Sequence, residues 1–187
     1  MKKKPFFALI FLFISISALF LISYKLENSV VGNQEILNEI DKLLLPVYNQ
    51  NVTESSFLKL QKLTEGDAYA SDEVSEIIVL ANEKEYSHIG HSLGFLYEYV
   101  QTGKIPICPG HSLSHYYVFS KHGETDLAIG NLESAKENFG AWKSGVKKDS
   151  NYDANFNLID SLFKRVESGN LTASDDEIDV LAELPCA

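Results

Sequence analysis

Residues 86–100 read YSHIGHSLGFLYEYV, and the fold class turns on how this stretch is interpreted. Gly90-His91-Ser92-Leu93-Gly94 spells G-x-S-x-G, the nucleophile elbow of α/β-hydrolases, which requires a strand, a sharp turn at the serine and then a helix. The preceding residues 82–88, NEKEYSH, are too polar for a buried strand. Tyr86, Ile89, Leu93, Leu96, Tyr97 and Val100 recur at three- and four-residue steps straight through the motif, which is helical periodicity. The hydrolase order also fails, because an acid and then a histidine must follow the serine. Every later histidine (His111, His115, His122) lies within 30 residues of Ser92, and the only acid between is Glu98. The stretch is therefore predicted to be one helix. Gly90 and Gly94 fall one turn apart on it, where they would let a neighbouring backbone approach closely.

Working outward, every other periodic segment has the same character. In residues 33–50, NQEILNEIDKLLLPVYNQ, the stripe is Ile36, Ile40, Leu43, Leu44 and Val47, with Asn33 placed to cap it. Thr53 precedes a second stripe of Phe57, Leu60 and Leu63. Ser71-Asp72-Glu73 is predicted to open a third helix, with acids in its first turn where the helix dipole favours them, burying Val74, Ile77 and Ile78. Beyond the Pro-rich loop TGKIPICPG (residues 102–110), a fifth helix is expected from Ser112 to Lys121, ended by the glycine cap Gly123. Thr125 heads a sixth, residues 154–168 form a seventh, and Ser174 with Glu177 makes a capping box for a short eighth. No segment alternates as a strand does. Residues 33–187 are therefore predicted to be an all-α domain of stacked antiparallel helical hairpins.

The N-terminus has a different character. Lys2-Lys3-Lys4-Pro5 is followed by residues 6–23, FFALIFLFISISALFLIS, without a charge. Eighteen apolar residues are enough to cross a bilayer as a helix, and longer than the ~7–15-residue core of a secretory signal. Ser15-Ile16-Ser17 has the small-residue spacing of a cleavage site but lies inside the run, and Leu21-Ile22-Ser23 lacks it. Run length and the missing site favour an uncleaved signal anchor over a cleaved signal. Residues 1–5 then form a cytoplasmic basic tip, residues 6–23 the transmembrane anchor and residues 24–32 a linker. The positive-inside rule places the C-terminal domain across the inner (cytoplasmic) membrane, on the periplasmic or extracellular side.

Charge and cysteines agree with export. The chain carries a formal −10, and Lys2, Lys3, Lys4 and Lys25 all precede the first acid, Glu27, so the remainder is more acidic still. Such a surface repels phosphate, which argues against nucleic acid as a partner. Two cysteines in an oxidising compartment commonly pair. A Cys108–Cys186 bond would require Cα atoms ~4.4–6.8 Å apart and would dock Ile178, Leu181 and Leu184 near the start of the fifth helix. The alternative is two unpaired thiols.

Histidines supply the remaining candidate chemistry. His88 with His91, and His111 with His115, have the helical spacing that puts two rings on one side, as metal ligands require. HSLSH lacks the glutamate of the zinc-protease helix. A simple hairpin of the fourth and fifth helices would set His111 opposite Val100 and bring His88 and His91 toward His122, leaving two incomplete sites. Helix-terminal or surface histidines are the simpler account, and no catalytic residue or cofactor is expected. GHSL occurs at 90–93 and 110–113, an offset too short for a hairpin repeat. The acids Asp175, Asp176, Glu177 and Asp179 lack the glycine and spacing of a calcium loop.

Residues 112–139, SLSHYYVFSKHGETDLAIGNLESAKENF, resemble a single tetratricopeptide-type hairpin. Gly123 stands where the first helix ends, Ala128 and Ala135 where that family places small packing residues with Leu132 between them, and Tyr116 and Phe119 at apolar positions of the first helix. No second copy follows at the ~34-residue period. The resemblance implies a scaffold for protein binding with no catalytic residues to carry over. The expected function is thus a membrane-anchored, exported protein-interaction module. The alternative is an exported metal- or cofactor-binding domain that uses the paired histidines.

Overall fold

The computed structural model describes residues 29–148, 151–169 and 172–187. The predicted basic tip and anchor, residues 1–5 and 6–23, lie outside the described residues. Among the described residues there are eight α-helices, one short 3₁₀ turn and no strand. None of these helices is long and apolar enough to cross a membrane.

Local chemistry sets the helix ends. Helix α1 (Gln34–Tyr48) starts as expected, with the Asn33 side chain accepting the Glu35 and Ile36 N–H groups. It buries Ile36, Leu37, Ile40, Leu43 and Val47, but Leu44, assigned above to the buried stripe, is 43% exposed. The 3₁₀ turn Glu54–Phe57 buries Phe57 and leads into α2 (Leu58–Thr64). Helix α3 (Ala68–Glu83) begins three residues before the predicted Ser71, because Asp67 caps it by accepting the Ala70 N–H. That shift moves Glu73 out of the solvated first turn and onto the stripe of Ala70, Val74, Ile77 and Leu80, all buried.

Helix α4 (Tyr86–Thr102) runs unbroken through the G-x-S-x-G motif. Its expected close backbone approach is absent: a Cβ added at Gly90 or Gly94 would meet nothing within 4 Å. Helix α5 (Pro109–His122) starts earlier than expected, with Pro109 in the first turn, where its missing N–H costs nothing. Gly123, at φ +82°, ends it as predicted. Helices α6 (Thr125–Gly145), α7 (Tyr152–Glu167) and α8 (Asp175–Ala182) follow. Ser174 and Glu177 form the predicted capping box on α8.

Helix α5 is the centre of the molecule. It buries ten of its fourteen residues, so neighbours cover it on nearly every side. Helix α6 packs along it most extensively, burying Ala128 and Ala135, and α8 lies along it from Lys121 back to Gly110; α4 meanwhile packs between α1 and α3. The close approach that the sequence placed at Gly90 belongs instead to Gly110. A Cβ there would lie 2.5 Å from the Leu181 carbonyl oxygen and 3.1 Å from Leu184.

Cys108 and Cys186 form a disulfide with Cα atoms 4.6 Å apart, inside the expected range. Around it the tail is docked by hydrogen bonds from the Ala187 N–H to the Ile107 carbonyl (3.1 Å) and from Trp142 Nε1 to the Pro185 carbonyl (2.7 Å). Arg165 on α7 donates two hydrogen bonds to Glu177 on α8, at 3.0 and 2.6 Å. Ile178 and Leu181 are buried, and Leu184 packs against the core.

Candidate functional site

The register between α4 and α5 decides what the histidines do. Phe95 faces His111 with ring centroids 4.3 Å apart, and His88 faces His115 at 5.7 Å. The start of α5 therefore lies level with the middle of α4, not with its end at Thr102. The six-residue connection 103–108, able to span ~20 Å when extended, lets the chain run back before α5 begins. This corrects the expected arrangement of two incomplete histidine sites. His88, His111 and His115 share one buried cluster with half-buried His91 beside it, and the rings of His111 and His115 lie 4.0 Å apart. His122 stands apart from them, its two ring nitrogens 2.8 Å from Glu83 and 2.7 Å from Glu85. His88, His111 and His115 are buried, so they are not surface histidines, although His88 and His111 do stand in the first turns of α4 and α5 as the helix-terminal account expects.

Helix α3 lays two carboxylates against this cluster. His115 Nδ1 lies 2.9 Å from Glu76 Oε2, and Asn131 on α6 donates to Glu76 Oε1 at 2.7 Å. On its other side, His115 Nε2 lies 3.5 Å from Ser92 Oγ. Ser92, His115 and Glu76 therefore stand in line, with the acid drawn from before the serine in the chain. The line does not make a hydrolytic site. Ser92 and His115 are wholly buried, Ser92 sits mid-helix, and neither lines a cavity that reaches the surface. An acyl-transfer site needs an accessible nucleophile and free N–H donors aimed at the developing oxyanion, whereas mid-helix N–H groups are already committed to the helix. What the line does is satisfy a carboxylate at the edge of the core.

Glu73 and His111 are not satisfied in this way. His111 Nε2 lies 3.8 Å from Glu73 Oε1, beyond hydrogen-bond distance. Among the described residues, Glu73 Oε1 and both ring nitrogens of His111 are buried without a hydrogen-bond partner, as are Nδ1 of His88 and of His91. Burial, reinforced by the Glu76 charge, pushes the Glu73 carboxyl up to about 8. Burial and the neighbouring histidines hold His111 well below the usual imidazole range, and His88 is lowered to about 3 for the same reasons. The core tolerates these groups by keeping them neutral.

A cavity of about 190 Å³ opens beside Glu73 and His111, and its lining includes Tyr69, Asp72, Glu76 and Phe95. The α5–α6 pair adds Ser112, Ser134 and Asn138. Among the described residues, no three His, Cys, Asp or Glu side chains are arranged to hold a metal ion together. A second, shallower hollow of about 520 Å³ lies between α1 and α4, lined by Leu44, Val47, Tyr48, Tyr86 and Gly90.

No protein-family model matches the chain, and neither a curated protein nor a solved structure is significantly similar to it.

Glu73, Glu76 and Asn131 were missed in the sequence. For Glu73 the signal is visible only once the α3 start is moved to Ala68. Glu73 then lies three residues after Ala70 and four before Ile77, on the buried stripe.

Proposed function

We propose that this chain is a membrane-anchored, exported helical module that binds a partner protein through the hollow between α1 and α4. The observation that carries the reading is the apolar surface at the end of α1. Leu44 is 43% exposed, Leu45 66% and Tyr48 84%, beside a hollow that Gly90 leaves open by having no side chain. Contiguous apolar surface of this kind marks interaction sites, and tyrosine is among the side chains enriched in them. The hollow is a place for an apolar anchor of the partner, and the acidic balance of the chain favours a basic rim around that anchor. The likeness of α5–α6 to a tetratricopeptide hairpin supports the same use of the fold. Residues 6–23 supply the anchor and place the module on the periplasmic or extracellular face.

The test is a photo-crosslinking residue at Tyr48 in intact cells, compared with one at Glu137 on α6, followed by mass spectrometry. A discrete heterologous adduct is expected at Tyr48, absent at Glu137 and weakened by Leu45→Asp. Identical products at both positions, or adducts only to a second copy of the chain, would refute the reading.

A further inference from the structure

Of the buried polar groups in this core, Glu76 and His115 are partnered and His122 has its own two carboxylates. Glu73, His111 and the Nδ1 atoms of His88 and His91 remain, and of these only Glu73 and His111 line the cavity beside α3. His111 is 8% exposed and lines the cavity with neither ring nitrogen hydrogen-bonded; Glu73 lines the same cavity and its Oε1 is likewise unpartnered. A buried donor or acceptor left unsatisfied costs ~1–3 kcal/mol, and native cores carry few such groups without a reason.

The donor chemistry narrows the reason. An imidazole nitrogen and a carboxylate oxygen face each other across 3.8 Å, with the carboxylates of Asp72 and Glu76 in the same lining and no lysine or arginine among the described lining residues. Once the Glu73 proton is displaced, a carboxylate oxygen and an imidazole nitrogen face each other, and an electron-pair acceptor between them satisfies both. A tetrahedral ion with bonds of ~2.0–2.1 Å holds two ligands ~3.3–3.4 Å apart, so the pair needs to close by only a few tenths of an ångström. Magnesium and calcium take oxygen ligands, whereas imidazole with carboxylate suits a borderline divalent transition ion.

We infer that Glu73 and His111 bind a divalent transition-metal ion of the zinc type in the cavity between α3 and α5. The donors come one from each of two facing helices, not from a histidine pair on one helix. With no third His, Cys, Asp or Glu among the described residues arranged to share the ion, water completes its coordination. The cavity of about 190 Å³ has room for this, since each water occupies ~30 Å³. Such a site keeps open coordination positions, unlike the closed four-ligand shell of a structural site.

The experiment uses the purified full-length chain in detergent at pH 8, titrated with zinc chloride in excess magnesium, with bound metal counted after dialysis. One equivalent of zinc is expected. Cobalt substitution should give the visible absorption of a nitrogen- and oxygen-ligated ion. Glu73→Gln and His111→Gln should each weaken binding at least tenfold, while His122→Gln leaves it unchanged and so separates this site from the half-buried His122–Glu83–Glu85 group. Because His111→Gln removes a core side chain, the zinc-induced rise in melting temperature of the unaltered chain gives a second readout that needs no variant. Absence of stoichiometric zinc, loss of it in His122→Gln instead, or stabilisation by methylammonium but not zinc would each overturn the inference.

Discussion

Replacing Cys186 by Ser tests how much of the stability is covalent. The bond joins residues 78 apart in sequence. Opening a loop of that length returns about 4–5 kcal/mol of chain entropy to the unfolded state in the loop-closure account. For a domain of this size each kcal/mol moves Tm by roughly 2–4 °C, so a fall of about 10–15 °C is expected. The folded state should change as well. Helix α8 has eight residues, too few to persist alone, and beyond it the chain is held by the disulfide and the hydrogen bonds to Ile107 and Pro185. Trp142 is the only tryptophan, is 1% exposed, and donates to the Pro185 carbonyl, so its emission reports tail docking directly. Urea unfolding followed by Trp142 fluorescence and helical circular dichroism separates the two effects. A lower midpoint with unchanged native emission assigns the loss to the unfolded chain; a red-shifted native spectrum with tail proteolysis adds undocking. An unchanged midpoint and a protease-resistant tail in Cys186→Ser would refute the reasoning.

Four further outcomes are expected. Glu73→Gln should stabilise the protein increasingly as pH rises from about 4.5 to about 8: the folded carboxyl titrates near 8, above its unfolded value of 4.5, so the parent loses stability across that window. The gap should reach a few kcal/mol and stay level above it, and a pH-independent gap would contradict the burial of Glu73. Gly110→Ala should destabilise by roughly 1–3 kcal/mol because the Leu181 carbonyl must move, whereas Gly90→Ala should stabilise by up to about 1 kcal/mol, and equal effects in thermal melts would contradict the packing of α8. Arg165→Ala should cost about 1 kcal/mol, the pair being partly exposed. Arg165, then the Ser174 backbone, hold Glu177 down at about 2, so that cost should be full above pH 4.5 and vanish as pH falls toward 2, as urea midpoints at several pH values would reveal. The full-length chain should remain in membranes through alkaline carbonate washing, and a mature N-terminus after Ser17 or Ser23 would show cleavage instead.

Much of the fold is legible because it is local. The stripes of α1, α4 and α7, the Asn33 cap, the Ser174–Glu177 box and the Gly123 stop are each written within one or two turns of sequence, where a few neighbouring groups settle the outcome. The disulfide was legible for another reason, since a chain with two cysteines has one possible internal pairing. The two boundary errors were small in length and large in consequence. Asp67 competed with Ser71 as the α3 cap, and the earlier start turned Glu73 from a solvated acid into a mostly buried one at the edge of the core.

The sequence by itself determined the all-α class, the order of the helices and the partnership of Cys108 with Cys186, because periodicity, capping and composition are properties of the chain alone. Tertiary structure decided everything that depends on how one helix slides along another. The two GHSL copies show the division: Gly110 lies under the Leu181 carbonyl while Gly90 opens onto a hollow. The histidines show it again. Helical spacings of three and four put His88 with His91 and His111 with His115, yet the slip of α5 along α4 gave His115 to Glu76 and Ser92 and left His111 facing Glu73 across 3.8 Å. Interhelical register is set by the packing of many side chains and by the length of the 103–108 connection, and no residue carries that sum in its own local sequence.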